Sequence, residues 1–327
     1  PAGPADPDAI PDVPEVPSSE PEQVWICGAH RVMCGDSRNA EHWTRLLQGE
    51  KGDIVWTDPP YNVDIGQKNR DLDRLDGGNR SKNGGIANDA MADAVFLDFL
   101  CDVFRQLHAN MKPGAPIYIA HADREGHNFQ NAFRTVGFKF SSMLIWRKNS
   151  IVLGLTDYQS MHEPIIYGWK PGGRHKWYGG RKLRSVVELE SEIPVTKQAD
   201  GRFALTIGGR TLLVPADAEL EEVPGSLVYV DKPQRGHDHP TSKPVELVRR
   251  NLQSSARRND IVLEAFGGSG STLIAAEEAG MCARVMEVDP RFVDVILQRY
   301  FDFTGRVPVN EATGEPFPVK KGGDDAQ

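Results

Sequence analysis

At 327 residues the chain is long enough for one large α/β domain carrying an insert, or for two small domains. Its composition, 39% hydrophobic and 26% charged, is that of a globular protein, and no apolar run approaches the roughly 18 residues of a membrane span. No basic-then-apolar leader opens the chain, so a cytoplasmic protein is expected. The formal net charge of −8 lies in the tails: residues 1–23 hold six acidic and no basic side chains, and residues 311–327 four acidic against two basic, which leaves 24–310 neutral. Within that neutral body, 147–184 carries eight Lys/Arg against Asp157 and Glu163, and 232–258 carries seven against Asp238 and Glu246. These stretches suit a polyanion-binding face or an ordinary solvated surface. The four cysteines, Cys27, Cys34, Cys101 and Cys282, are scattered without a C-x-x-C pair, which argues against a zinc site or a disulfide framework and for buried small side chains.

In chain order, residues 1–23 are rich in Pro, Ala, Asp and Glu and read as linker. That start, without Met, gives the expectation of a further N-terminal domain in a longer protein. Seven short β-type runs follow: Arg31–Cys34, Asp53–Thr57, Pro116–Ala120, Phe138–Trp146, Pro164–Trp169, Ile261–Glu264 and Ala283–Val288. Several are continuously apolar, as expected for strands buried on both faces. Helical periodicity marks Ala92–Met111, which stops at Lys112-Pro113-Gly114, and also Pro244–Leu252, Ser271–Ala279 and Arg291–Phe301. Alternating β and α predicts a doubly wound, parallel-rich sheet. Residues 63–90, rich in Gly, Asn, Asp and Arg, read as a long mobile loop. Residues 172–238 read as an insert with a hairpin over Phe203–Val214, turning at Gly208-Gly209. The division expected is a linker (1–23), a first half of the domain (24–171), the insert (172–238), a second half (239–303) and a tail (304–327).

Three constellations carry chemistry. Asp58-Pro59-Pro60-Tyr61 follows an apolar strand and so lies where doubly wound sheets place their sites. A carboxylate, two prolines whose carbonyls have no paired N–H, and a flat ring suit a planar group bearing an NH₂, such as a flipped-out base; taken alone the motif is also a rigid turn. Glu264-Ala265-Phe266-Gly267-Gly268-Ser269-Gly270-Ser271 leads from a strand into a helix, as do turns that hold nucleotide-like cofactors, but lacks the Gly-Lys-Ser/Thr of a phosphate loop. Glu287, ending the next strand, suits ribose hydroxyls or is a solvated strand-end carboxylate. His239-Pro240-Thr241-Ser242-Lys243-Pro244 precedes a helix and reads as a ligand-facing loop or as a cap.

Together these motifs resemble the amino-methylating DNA methyltransferases of the permuted beta group, adenine-N6 type. That group runs G-D-S/C, D-P-P-Y, H-P-T-x-K-P, F-x-G-x-G, matched in order here by Gly35-Asp36-Ser37, Asp58–Tyr61, His239–Pro244 and Phe266–Gly270. The resemblance spans about 24–303 apart from the insert. It implies a Rossmann-like α/β domain with a seven-stranded methyltransferase sheet, a circularly permuted motif order and a target-recognition insert. It implies S-adenosylmethionine as cofactor and no metal. It assigns Asp58 and the Pro59 carbonyl, held by Pro60, to the target amino group, Tyr61 to stacking, and Phe266, Gly268 and Gly270 to the cofactor pocket. It further assigns Glu287 to the ribose, Asp36 to the cofactor adenine, and Thr241, Lys243 and Pro244 to the methionine end. Glu264 stands where the family has Asp, one methylene shorter, and joins the cofactor-binding set as the one departure. The partners implied are double-stranded DNA, a second copy in a homodimer and a companion restriction enzyme. Within the insert, residues 188–222 carry eight acidic groups against three basic ones, so the basic Arg174–Arg184 is the part expected on DNA, with the loop 63–90 as a second contact; a purely structural insert stays open. His162-Glu163 reads mainly as structural. The alternatives are a cytosine-N4 enzyme, a non-catalytic binding module of the same fold, and an RNA or protein-glutamine enzyme, the last disfavoured by motif order. Cytosine-C5 chemistry needs a nucleophilic Cys after Pro, and the chain has no Pro-Cys.

Overall fold

The computed structural model describes residues 6–76, 89–152, 157–181, 183–188, 195–197, 202–207, 210–214 and 242–320. Strands β1 (Val24–Cys27) and β2 (His30–Cys34) form a hairpin, then α1 (Ala40–Leu47) leads to β3 (Ile54–Thr57). Helices α2 (Ile65–Asp76) and α3 (Asp93–Asn110) precede β4 (Pro116–Ala120), and α4 (Gly126–Thr135) precedes the long pair β5 (Lys139–Val152) and β6 (Ser160–Trp169). Short strands β7 (Val186–Glu188), β8 (Val195–Lys197), β9 (Phe203–Ile207) and β10 (Arg210–Val214) fill the insert. The chain then runs α5 (Val245–Ser255), β11 (Ile261–Glu264), α6 (Ser271–Ala279), β12 (Cys282–Glu287), α7 (Pro290–Thr304) and β13 (Val309–Asn310).

The main sheet has the order β13-β1-β2-β12-β11-β3-β4-β6-β5-β7. The seven expected strands form its centre, from β2 to β5, and the flanking strands widen it to ten. From β2 to β4 all neighbours are parallel, and β6 is antiparallel to both β4 and β5. The catalytic-motif strand β3 and the glycine-turn strand β11 are far apart in sequence and adjacent in space. Strand alternation divides the core: Ile54, Trp56, Val262, Ala283 and Val285 pack with α5, α6 and α7, while Val55, Leu263 and Met286 pack with α1, α3 and α4. The sheet is thus covered on both faces, which is why its central strands are apolar without alternation. Among the described residues no helix is long and apolar enough to cross a membrane.

Four expectations need correcting. The described part of 1–23 does not behave as free linker: Asp8 Oδ1 accepts from Val245 N at the start of α5 (2.8 Å), Arg299 donates to the Pro7 carbonyl (2.8 Å), and Asp294 accepts from Ser18 N and Ser19 N (2.5 and 3.0 Å). This segment is ordered by hydrogen bonds to the start of α5 and to buried side chains of α7. The tail likewise joins the sheet through β13, with Phe317 edge-on to Trp25 at 5.5 Å. Residues 65–76, expected as mobile loop, form α2, a mostly polar helix carrying local pairs such as Gln67 with Asp71 (2.9 Å) and Arg74 with Asp71 (3.2 Å). A polar helix shows little apolar periodicity, so composition alone gave a loop. The remainder of that expected loop, 77–88, lies outside the described residues, and its neck is closed where Asn62 Nδ2 donates to the Met91 carbonyl at 2.9 Å. Finally, Lys176, expected on DNA, bonds Asp53 (2.7 Å) and Asp260 (3.2 Å) at the N-terminal ends of β3 and β11, the edge opposite the motif-bearing strand ends. β9 and β10 form the expected hairpin with β8 as a third strand; its Gly208-Gly209 turn lies outside the described residues.

Candidate active site

The parallel strands deliver their C-terminal ends to one edge, and three motifs arrive there. β3 ends at Thr57 and hands the chain to Asp58–Tyr61; β11 ends at Glu264 and opens the glycine turn; β12 ends at Glu287 beside Cys34 at the end of β2. Glu264 joins the first two. Its Oε1 accepts from Thr57 Oγ1 (2.6 Å) and from the Phe266 N–H (3.0 Å), and its Oε2 accepts from Thr272 Oγ1 (2.7 Å). At 2% exposure this carboxyl braces β3, the turn and α6 against one another. Burial pushes its pKa from 4.5 to about 8, against the opposing effect of its three donors. Because the folded value is the higher one, Glu264 contributes stability in full below pH 4.5 and loses it as pH rises toward 8. Glu264→Gln keeps the shape and stays neutral; in urea unfolding it is expected to gain on the wild type across that window by an amount on the order of a few kcal/mol. A wild-type minus variant difference that is flat with pH would show that the carboxyl does not carry this burden.

The turn itself requires glycine at two points. Gly268 and Gly270 have φ of +50° and +86°, in the left-handed region, and a Cβ on Gly270 would press on Ile296 of α7 at 3.3 Å. Beside Gly268 the space is open: the nearest atom to a Cβ there is the Phe266 carbonyl oxygen at 4.0 Å. Glu287, buried and raised in pKa by that burial, accepts from Gly268 N (2.8 Å) and Asp289 N (2.9 Å). Asp36 stands on the neighbouring strand end; burial works against its charge, but Arg38, 2.7 Å away, holds its pKa below the ordinary value. Arg38 lies over Phe99, and Phe99 packs against Phe266 at 6.0 Å, so Asp36, Arg38, Phe99 and Phe266 form one wall.

On the other side of the turn is a buried charge network. Lys243 Nζ donates to Asp58 Oδ2 (2.6 Å) and lies 2.9 Å from Glu163 Oε1. Glu163 Oε2 pairs with Lys148 Nζ at 2.7 Å. The Tyr61 hydroxyl faces both Asp58 Oδ1 (2.5 Å) and Glu163 Oε1, and Lys243 stands 5.1 Å from the Tyr61 ring centroid. Burial opposes the Lys243 charge, yet its two carboxylate partners hold its pKa above the usual lysine value. Burial would also raise Glu163, but Lys243 and Lys148 keep it down at about 2. Asp58 moves the other way, raised chiefly by burial and also by the Glu163 charge, with Lys243 opposing. The Tyr61 phenol, buried between two carboxylates, is raised well above its ordinary value and stays protonated.

Lys243 is therefore found on Asp58 and Glu163, while its carbonyl accepts from Ser271 Oγ (2.7 Å) at the start of α6. Pro244 is the N-cap residue of α5, and Thr241 lies outside the described residues. Sequence reasoning missed Glu163, Lys148 and Phe99 as members of the site. The signal for Glu163 was present: His162-Glu163 opens an apolar strand whose antiparallel course brings its start to the C-terminal end of β4.

Comparison with known proteins agrees with this geometry. The DNA methylase family model of N6/N4 type matches residues 53–298, most of the chain. The chain is similar to DNA adenine methyltransferase YhdJ of Escherichia coli (strain K12), with 24% identity over 266 residues covering 78% of each protein. It is also similar to the type II methyltransferase M.BglII of Bacillus subtilis, at 22% identity over 88% of this chain and 72% of that one. In fold it resembles the DNA modification methylase TTHA0409 of Thermus thermophilus, solved in complex with S-adenosyl-L-methionine, with a TM-score of 0.50 at 21% identity over 85% of this chain and 96% of that one. The match extends across the D-P-P-Y end of β3, the glycine turn and Glu287, and the chain belongs to the DNA methylase family of N6/N4 type.

Proposed function

We propose that the chain is a site-specific methyltransferase that moves a methyl group from S-adenosylmethionine to N6 of a flipped-out adenine in double-stranded DNA. The observation that carries this is the seating of Asp58 and Tyr61 at the end of β3, tied through Glu264 to the glycine turn on β11. The open space beside Gly268, flanked by the strand-end carboxylates of Glu287 and Asp36, fits a nucleoside-bearing cofactor. Glu287 would hold the ribose hydroxyls, Asp36 the adenine amino group, and Phe266 with the backbone of Gly268 and Gly270 the middle of the molecule. When bound, S-adenosylmethionine supplies an electrophilic methyl on a sulfonium.

An aromatic amine is a poor nucleophile because its lone pair is delocalised into the ring. Asp58 Oδ1 and the Pro59 carbonyl accept from the two N–H groups, favouring a tetrahedral nitrogen and stabilising the positive charge that develops on it. The Tyr61 hydroxyl has one proton for two carboxylate neighbours, so keeping it on Glu163 leaves Asp58 Oδ1 open to the base. Tyr61 gives the base a flat surface, and Pro59 and Pro60 hold the turn rigid, so positioning supplies much of the rate. In this reading Lys243 serves the base site, and the permuted order follows from the D-P-P-Y strand preceding the glycine-turn strand in the chain. A homodimer and a companion restriction enzyme accompany the reading as expectations of the family.

Purified protein incubated with methyl-labelled S-adenosylmethionine and unmethylated DNA, followed by digestion to nucleosides, tests this. N6-methyladenine is the expected product. N4-methylcytosine would replace adenine by cytosine as the target, and label transferred to RNA or protein but not to DNA would overturn the reading.

A further inference from the structure

We propose that Glu163 is a positioning residue for methyl transfer: anchored by Lys148, its carboxylate holds the Tyr61 phenol and the Lys243 ammonium, and through them fixes the geometry and charge of Asp58. This rests on the functional reading above. Strand register puts Glu163 opposite Trp146, and Lys148 two residues on along the same face of β5 lies over the Trp146 ring at 5.1 Å. Glu163 (8% side-chain exposure) therefore sits between two cations, Lys148 on β5 and Lys243 ahead of α5. Glu163 pairs with Tyr61, Lys243 and Lys148, so both Glu163 and Lys148 act on the base site through other side chains.

The arrangement alternates in sign: Lys148, Glu163, Lys243, Asp58. The charged and titratable groups around Asp58 are Lys243, Glu163 and Tyr61, then Glu264 from β11, with Lys148 behind Glu163 and His121 from the end of β4 close to Glu163. Removing the Glu163 charge takes one carboxylate from Lys243 and shifts the Tyr61 hydroxyl toward Asp58, the stronger of the two acceptors it then faces. Asp58 then becomes a weaker acceptor with one oxygen blocked. Removing Lys148 has the opposite electrical effect: Glu163 draws more strongly on Lys243, and the Asp58 carboxylate is less well supported.

The test compares Glu163→Gln and Lys148→Met with wild type in methyl transfer to DNA as a function of pH, together with a carboxyl-carbon NMR titration of Asp58 in each protein. Glu163→Gln is expected to lower kcat about ten- to a hundredfold, leave KM for S-adenosylmethionine unchanged, and move the acidic limb of kcat and the Asp58 titration down by about one pH unit. Lys148→Met is expected to move both upward. Opposite displacements are a signature that loosened packing does not produce. If Glu163→Gln does not fold, the upward displacement in Lys148→Met carries the test alone. Wild-type kinetics and an unmoved Asp58 titration in the variants would overturn the proposal. Absence of transfer by the wild type would instead overturn the functional reading, while the NMR titration still decides the role of Glu163.

Discussion

Replacing Asp58 by Ala is expected to slow methyl transfer to DNA by about a hundred- to a thousandfold while leaving S-adenosylmethionine binding intact. The size follows from what Asp58 supplies. In the proposed mechanism positive charge grows on the amino nitrogen in the transition state, and the Asp58 carboxylate at the end of β3 would be the acceptor that meets it. An acceptor aimed at charge that appears only in the transition state acts on kcat, not on KM. Cofactor binding is spared because Asp58 bonds Lys243 and Tyr61, whereas the glycine turn is held by Glu264, Thr57 and Thr272. The fold survives because Lys243 keeps Glu163 as a partner at 2.9 Å. Single-turnover transfer with a parallel calorimetric titration of the cofactor checks both halves. A loss of cofactor affinity equal to the loss of rate would place Asp58 in the wrong pocket.

Lys243→Met is expected to damage stability and activity together. At 5% exposure Lys243 is the cation shared by Asp58 and Glu163, and Met matches its length without its charge. Without the ammonium, two carboxylates with 21% and 8% side-chain exposure face each other across the Tyr61 hydroxyl. Removing one partner from a buried ion network costs about 3–5 kcal/mol. Lys148 still neutralises Glu163, so Asp58 is the group that takes up a proton, and a protonated Asp58 no longer accepts from both sides. Urea unfolding and transfer assays at pH 7 and pH 9 read the two effects; raising the pH restores part of the rate by removing that proton. A variant as stable as wild type, with full activity, would show that Lys243 only decorates the site.

The sheet was legible because its central strands are buried on both faces. Ile54–Thr57, Pro116–Ala120 and Ile261–Glu264 stand out as short apolar runs, and α3 as a long periodic one. What escaped was structure whose order comes from elsewhere in the chain. β13 is two residues long and exists by pairing with β1; the segment around Asp8 and Ser18 is seated by α5 and α7; α2 is polar enough to hide its period. At the site, Asp58, Tyr61 and the glycines stood out because they lie in compact motifs directly after apolar strands. Lys243 was picked out by its motif, but its partners were not, because its neighbour in sequence, Pro244, caps a helix while its ammonium reaches Asp58 nearly two hundred positions earlier. Glu163 shows the same limit: its partners Tyr61, Lys148 and Lys243 come from three other parts of the chain.

The most direct test of the central claim is single-molecule sequencing of DNA from a methylation-free bacterial host expressing the chain, with Asp58→Ala expressed alongside. N6-methyladenine confined to one short sequence in the wild type, and absent with Asp58→Ala, is the predicted result. Folded protein that leaves every adenine unmodified, or the same pattern from Asp58→Ala, would contradict the account.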